Sequence, residues 1–218
     1  LAENKLAEKL LHEQLRGCLV VLLEILKDNE LKVTGCEQYV ECQMGLGLPK
    51  AIGEDGNEKE RDMLGFIDMT LEDSEGHPVV IDFKWTTWAK GYQNKLTDNR
   101  SVQLELYRMM LGKEKKDAVR RVAYFLMPEA RLYSNEEFKG RHCKQLTPEN
   151  RDNIVEQLRK AALYRKQQIE NGVVEINGVY EELQYVKDTD AQGLFPLKKA
   201  DDGMKEGNFF SEYKHFNR

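Results

Sequence analysis

Residues 78–84 decide the fold, because they read Pro-Val-Val-Ile-Asp-Phe-Lys, a short apolar run that ends on an acid and a lysine. Such a run, bounded by turn-forming residues, is typical of a buried strand. Residues 64–72 contain Gly65-Phe66-Ile67-Asp68, an apolar segment that also ends on an acid. Between the two segments, residues 73–76 read Asp-Ser-Glu-Gly, which suits a turn. The sequence therefore predicts a hairpin with one acid on each strand.

The two acids and the lysine predict a metal site. Side chains two residues apart on a strand point the same way, so Asp82 and Lys84 share one face. Paired antiparallel strands would bring Asp68 beside Asp82, within reach of one cation. Carboxylates that hold a divalent metal beside a water, with an ammonium near the phosphate oxygens, can hydrolyse a phosphodiester. Taken singly, each acid has a simpler interpretation: Asp82 in a cross-strand salt bridge, and Asp68 leading into the turn.

A third segment, Gln103-Leu104-Glu105-Leu106-Tyr107, lies in a predicted helix over residues 100–112 that Gly112 ends. Gln103 and Tyr107 are one turn apart and so share a helix face. The functional interpretation is that they reach the phosphate backbone or the lysine, and that Arg100, a further turn back, adds a charged contact to the substrate. The alternative is a polar patch beside a core tyrosine.

The remaining pattern predicts an α/β fold, with a central mixed β-sheet flanked by helices. Residues 3–28 form an amphipathic helix whose buried stripe is Leu15, Leu19, Leu22 and Leu26. Residues 37–44 form a strand, and residues 49–62 a long exposed loop. The later elements are two strands and a helix that begins at Thr147-Pro148-Glu149 and ends near Gly172, with the strands over residues 121–127 and 130–133.

Size and composition restrict the classes of protein. The chain has 218 residues and begins at Leu1, so we expect one domain (core about 10–172, tail 173–218) from a longer polypeptide. No apolar run is long enough for a membrane span, and no signal peptide or P-loop motif is present. Four scattered cysteines argue against zinc and disulfides and for a cytoplasmic location. Net charge is −5, so a DNA-binding face would depend on local basic clusters.

The three segments together resemble the motifs of the PD-(D/E)xK nuclease superfamily, specifically its RecB-like, AddB-type branch, over about residues 10–127. The resemblance implies a restriction-endonuclease-like core and a Mg²⁺- or Mn²⁺-dependent deoxyribonuclease, expected to be an exonuclease in DNA recombination or repair that is fused to or partnered with a helicase. It assigns Asp68, Asp82 and the Phe83 carbonyl to the metal, makes Lys84 the catalytic lysine, and gives Gln103 and Tyr107 supporting roles. Two alternatives stay open: an inactive DNA-binding or scaffolding module, and a restriction-type endonuclease that works alone.

The same resemblance suggests further residues. His12 would complete the metal shell from the first helix, where it continues the leucine stripe inward. Glu41 or Glu37 would supply an additional acid from the first strand. AddB-type relatives end in a cysteine-rich iron–sulfur segment, but this chain has Asn208, Ser211 and Asn217 there, so we expect no cluster, because these side chains cannot replace thiolates.

Three aromatic residues follow the lysine closely: Trp85, Trp88 and Tyr92. They could stack on bases of single-stranded DNA, but the sequence favours packing against the sheet.

Overall fold

The structure, a computed structural model, describes residues 2–42, 51–52, 56, 58–59, 63–115, 119 and 121–172. The chain divides into two compact units. The first comprises residues 1–43 and 51–152, and the second residues 44–50 and 153–218. Every predicted site residue lies in the first unit. The prediction that the C-terminal tail holds no iron–sulfur cluster concerns residues outside the described ranges.

The described elements of the first unit begin with helix α1 (Ala2–Asp28), whose bounds confirm the predicted helix. The strands and helices that follow are β1 (Lys32–Cys42), β2 (Ala51–Ile52), β3 (Glu58–Lys59), β4 (Met63–Glu72), β5 (Pro78–Lys84), α2 (Ala89–Thr97), α3 (Val102–Lys115), β6 (Arg121–Leu126), β7 (Arg131–Ser134) and β8 (Cys143–Gln145). A 3₁₀ turn, Met127–Glu129, separates β6 from β7. The described part of the second unit is α4 (Ile154–Glu170).

The central sheet has six strands in the order β1-β4-β5-β6-β7-β8. The β5–β6 and β7–β8 pairs are parallel and the other pairs antiparallel, which confirms the predicted mixed sheet. The predicted hairpin is the β4–β5 pair, and its turn is closed by the Asp73 side chain. Asp73 Oδ1 accepts hydrogen bonds from the backbone N–H groups of Glu75 and His77, and Gly76 supplies the positive φ of 83°.

The main hydrophobic core lies between α1 and the sheet. It is formed by Cys18, Leu22, Ile25 and Leu26 of α1 against strand residues that include Leu71, Ile81 and Phe125. The predicted stripe was therefore partly wrong: Leu19 is 57% exposed, and the helix turns Cys18 and Ile25 inward instead. Because side chains alternate along β5, a strand that buries Ile81 against α1 directs Asp82 to the opposite face. On the sheet, α3 packs against β1, β5 and β6.

Four details of the prediction need correction. First, the loop at residues 49–62 contains a short ladder, β2 with β3. Second, α3 begins two residues later than predicted and passes through Gly112, a cost of about 1 kcal/mol that buried Met110 and Leu111 offset. Third, α2 and β8 were not predicted. Fourth, α4 begins at Ile154, because Asn153 rather than Thr147 caps it by accepting a hydrogen bond from the Glu156 N–H (3.0 Å).

Candidate active site

Asp82 lies near the end of β5 and is completely buried (0% exposed). Apart from the Lys84 ammonium, the described residues supply no hydrogen-bond donor to either of its carboxylate oxygens. The Lys84 Nζ atom lies 2.5 Å from Asp82 Oδ2, so the two side chains form an ion pair on one face of the strand, as their spacing predicts. A fully buried carboxylate with one ammonium as its partner is costly in a folded protein.

This burial shifts the protonation of Asp82. Loss of solvation raises the pKa of Asp82 to about 6, while the Lys84 ammonium opposes the rise and the Asp68 charge adds to it. Its unperturbed value is 3.8. Burial therefore disfavours the charged form of Asp82, and a cation bound nearby would stabilise that form.

Asp68 lies on β4, beside the end of β5. The β4–β5 ladder runs from Glu72↔Pro78 to Met69↔Ile81, so Asp68 and Asp82 are the next residues along the two strands. There the ladder gives way to a side-chain contact: the backbone N–H of Phe83 donates a hydrogen bond to Asp68 Oδ2 (2.7 Å). This bond fixes the Asp68 carboxylate next to the peptide that follows Asp82.

The pair of acids fits a hard divalent cation, since carboxylate oxygens are the ligands that Mg²⁺ and Mn²⁺ prefer. The fit is supported by the fully buried Asp82 carboxylate, for which the described residues supply one polar partner, the Lys84 ammonium. Phe83 follows Asp82 directly, so its carbonyl lies one peptide beyond the acid pair. Within the described residues, no three His, Cys, Asp or Glu side chains cluster closely enough to hold a metal. The protein ligands available in these ranges are thus two carboxylates and main-chain oxygen.

Helix α3 places Gln103 and Tyr107 beside the acids. Gln103 Nε2 donates a hydrogen bond to Tyr107 Oη (2.9 Å), which links the two residues along one face. Burial raises the pKa of Tyr107, and the charges of Asp82 and Asp68 raise it further. Gly65 on β4 contributes to this fit, because a Cβ there would lie 3.5 Å from Tyr107 Cε1. Arg100, expected one turn back on the same helix, instead precedes the start of α3 and is half-buried.

Of the additional residues, both glutamates lie on β1 as expected, whereas His12 is not where the sequence placed it. His12 was expected to face inward, and this is wrong: it is exposed on α1, whose buried face is set by Cys18 and Leu22. Glu41 accepts a hydrogen bond from Tyr39 Oη (2.8 Å) and is exposed. On β1 it is Glu37 that stands level with Asp68, between the pairs Cys36↔Met69 and Gln38↔Ile67.

Sequence reasoning missed Lys95, in the last turn of α2. Its Nζ atom lies 4.5 Å from the centre of the Tyr92 ring, and that ring packs edge-on against Tyr124 with 5.0 Å between centroids. Tyr124 is paired with Asp82 across β5 and β6. Burial dominates the pKa of Asp82, but the Lys95 charge lowers it. The sequence could not assign Lys95 to the site because α2, the helix that carries it, was not predicted.

The comparison with protein families agrees with this geometry. The sequence profile of the PD-(D/E)XK nuclease superfamily matches residues 2–181. The chain belongs to this superfamily. The match covers most of the chain, including every strand of the sheet and the acids on β4 and β5. A search of curated proteins finds no match. Among the helices of the described ranges, none combines the length and apolar character that a bilayer crossing requires.

Proposed function

We propose that this member of the PD-(D/E)XK superfamily is a Mg²⁺- or Mn²⁺-dependent deoxyribonuclease that hydrolyses DNA phosphodiester bonds. One observation carries the proposal: the Phe83 N–H holds Asp68 beside Asp82, a fully buried carboxylate whose partner among the described residues is the Lys84 ammonium. Such an arrangement is unfavourable without a further cation, because burial disfavours the charged Asp82 carboxylate more than the single Lys84 ammonium stabilises it.

In this proposal Asp68, Asp82 and the Phe83 carbonyl hold the metal. The bound ion lowers the pKa of its water and offsets charge on the phosphate oxygens. The protein's own contribution is to fix the two carboxylates on adjacent strands, which reduces the reorganisation that the reaction requires. Additional ligation by Glu41 remains a prediction, and the exposure of His12 removes the reason for including it.

Lys84 and the α3 pair complete the proposed machinery. The Lys84 ammonium, 2.5 Å from Asp82, is placed to orient the attacking water or to stabilise the negative charge that develops on the phosphate. The Gln103–Tyr107 hydrogen bond orients the Tyr107 hydroxyl, which can then donate to a phosphate oxygen. Arg100, with Gln103 and Tyr107, is proposed to contact the DNA backbone.

The finer role rests on the resemblance to the RecB-like branch. The Gln103–Tyr107 pair supports that branch, and with it an exonuclease that acts in DNA recombination or repair beside a helicase region or subunit. All four cysteines lie within the described residues and none forms a disulfide, which supports a reducing, cytoplasmic location. No iron–sulfur cluster and no ATP site are part of the proposal.

The first test is cleavage of linear and circular DNA by the purified chain with Mn²⁺. We expect linear DNA to be degraded and closed circles to survive. Asp82→Ala should lower the rate at least about a hundredfold, because it removes a ligand. Lys84→Ala should lower it similarly while Mn²⁺ affinity is retained, because the lysine acts on the substrate and not on the metal.

The matched control is Lys90→Ala, which removes an exposed lysine from α2 and should leave cleavage unchanged. If the wild-type chain binds Mn²⁺ and DNA but cuts neither substrate, the protein is a non-catalytic DNA-binding module. If circles are cut as readily as linear DNA, the exonuclease assignment is wrong and the restriction-type alternative is favoured.

A further inference from the structure

The only two tryptophans of the chain stand immediately after the proposed catalytic lysine, and both are exposed. Trp85 is 51% exposed and Trp88 63% exposed. The expectation that they pack against the sheet is therefore wrong, whereas Tyr92 does pack, against Tyr124. An indole ring gains more from burial than most side chains, so two exposed indoles at one place are a costly arrangement.

Trp88 is held in position although it is exposed. Its backbone N–H donates to Thr86 Oγ1 (3.0 Å), and its carbonyl accepts from the Gly91 N–H (3.2 Å). The six-membered ring lies directly on Gly91, where an added Cβ would be 2.2 Å from Trp88 Cζ3. One side of the indole thus packs against the main chain at Gly91, where any larger residue would clash with it, while the rest of the ring remains accessible.

The indoles are continuous with the active site. Trp85 is the next residue after Lys84, and residues 85–88 connect β5 to α2. Helix α2, which begins directly after Trp88, carries a cation: the Lys95 ammonium lies 4.5 Å from the centre of the Tyr92 ring. Exposed aromatic rings beside cations are the combination by which proteins bind single-stranded nucleic acid, through base stacking and phosphate contacts.

We propose that Trp85 and Trp88 form a stacking platform for unpaired bases next to the scissile phosphate, so that the site takes single-stranded DNA or a frayed end. The inference rests on the proposed function, because it places the platform along the path of that substrate. Duplex DNA cannot use the platform, since the faces of its bases are covered by their neighbours. The contact therefore selects for strand state and is tolerant of sequence.

Intrinsic fluorescence tests the platform directly, because Trp85 and Trp88 are the only tryptophans. An oligothymidylate strand and a blunt duplex of equal phosphate content are titrated into the full chain in EDTA, so that binding is measured without cleavage. We expect saturable quenching by the single strand and little by the duplex. Trp88→Leu should weaken single-strand binding about tenfold, as loss of one stacked base predicts, and leave duplex binding unchanged.

Two further variants separate stacking from hydrophobicity and from folding. Trp88→Phe keeps an aromatic face and should retain most of the affinity that Trp88→Leu loses. Gly91→Ala keeps both indoles and favours the helix, but its Cβ must displace the Trp88 ring, so single-strand affinity should fall with the fold intact by circular dichroism. Rescue by phenylalanine is not expected if the side chain is merely structural.

Several results would overturn the platform. These are equal quenching by single strand and duplex, equal affinities for Trp88→Leu and Trp88→Phe, and fluorescence that changes with protein concentration but not with DNA, which would assign the surface to self-association. Failure here is distinguishable from failure of the proposed nuclease. Cleavage without quenching removes only the platform, whereas quenching without metal-dependent cleavage removes only the catalytic proposal.

Discussion

At the scale of single residues, the buried Asp82 carboxylate destabilises the folded protein at its proposed active site. The carboxyl group is fully buried, its pKa is raised to about 6 by that burial, and one ammonium partially compensates it. A shift of about two units from 3.8 corresponds to about 3 kcal/mol at neutral pH. A globular domain of this size is stable by only about 5–15 kcal/mol, so the cost is substantial.

The sign of this effect gives a prediction for the metal-free protein. In the folded state Asp82 keeps its proton up to about pH 6, whereas in the unfolded state it loses the proton near pH 3.8. The free energy of unfolding therefore falls as the pH rises between these two values. Asp82→Asn cannot titrate. Urea denaturation in EDTA should therefore show the free energy of unfolding of the variant gaining about 2 kcal/mol on the wild type between pH 4 and pH 8. A difference that is constant with pH would contradict the burial of the charged carboxylate.

Single residues differ in how well the sequence predicted them. Asp68, Asp82 and Lys84 could be placed because strand spacing and a short turn leave little freedom. The orientation of His12 could not be predicted, because α1 has leucines on several faces and more than one of them could be the buried face. The face that is buried contains Cys18 and Ile25, and it leaves His12 exposed. Trp88 was misjudged because its ring lies against Gly91 of α2 and not against the sheet, and α2 was not recognised.

At the scale of elements, continuous apolar runs and well-defined turns were predictable. The β4–β5 hairpin, β6 and β7 match the expected positions within a few residues. The sequence missed α2, which is only nine residues long, has few apolar positions and buries Ala89, Gly91 and Leu96. It also misplaced the start of α4, because a serviceable cap at Thr147 competes with Asn153. Tertiary contacts decided these cases.

Lys95 provides a prediction for α2. Lys95→Ala should weaken DNA binding and lower the slope of log K against log salt by about one, as expected for loss of one phosphate contact. Its removal should also move the acid limb of the pH–rate profile to higher pH, because the Lys95 charge lowers the pKa of Asp82 against the larger effect of burial. The control is Lys90→Ala, an exposed lysine at the other end of the helix. Equal salt slopes for the two variants would show that Lys95 does not contact the substrate.

For the whole molecule, net charge works against DNA binding, since the chain carries −5. Affinity must then come from local groups such as Lys84 and Lys95 and, in our inference, from stacking on Trp85 and Trp88. The family profile reaches residue 181 and so extends beyond the first compact unit into the second. The architecture of the first unit followed from the order of its elements, whereas the division into two units left no signal in composition.

The central claim is that Asp68 and Asp82 bind the same cation. The most direct test is a Mn²⁺ titration in which electron paramagnetic resonance measures the free and bound ion. The account predicts one site class in the wild type, with affinity lowered at least about tenfold by either Asp68→Ala or Asp82→Ala. In the double variant, Mn²⁺ binding at this site should be abolished, and no second class of Mn²⁺ site should be lost with it. Lys84→Ala and the exposed-acid control Glu8→Ala should retain the affinity. Unchanged Mn²⁺ binding in either aspartate variant would contradict the account.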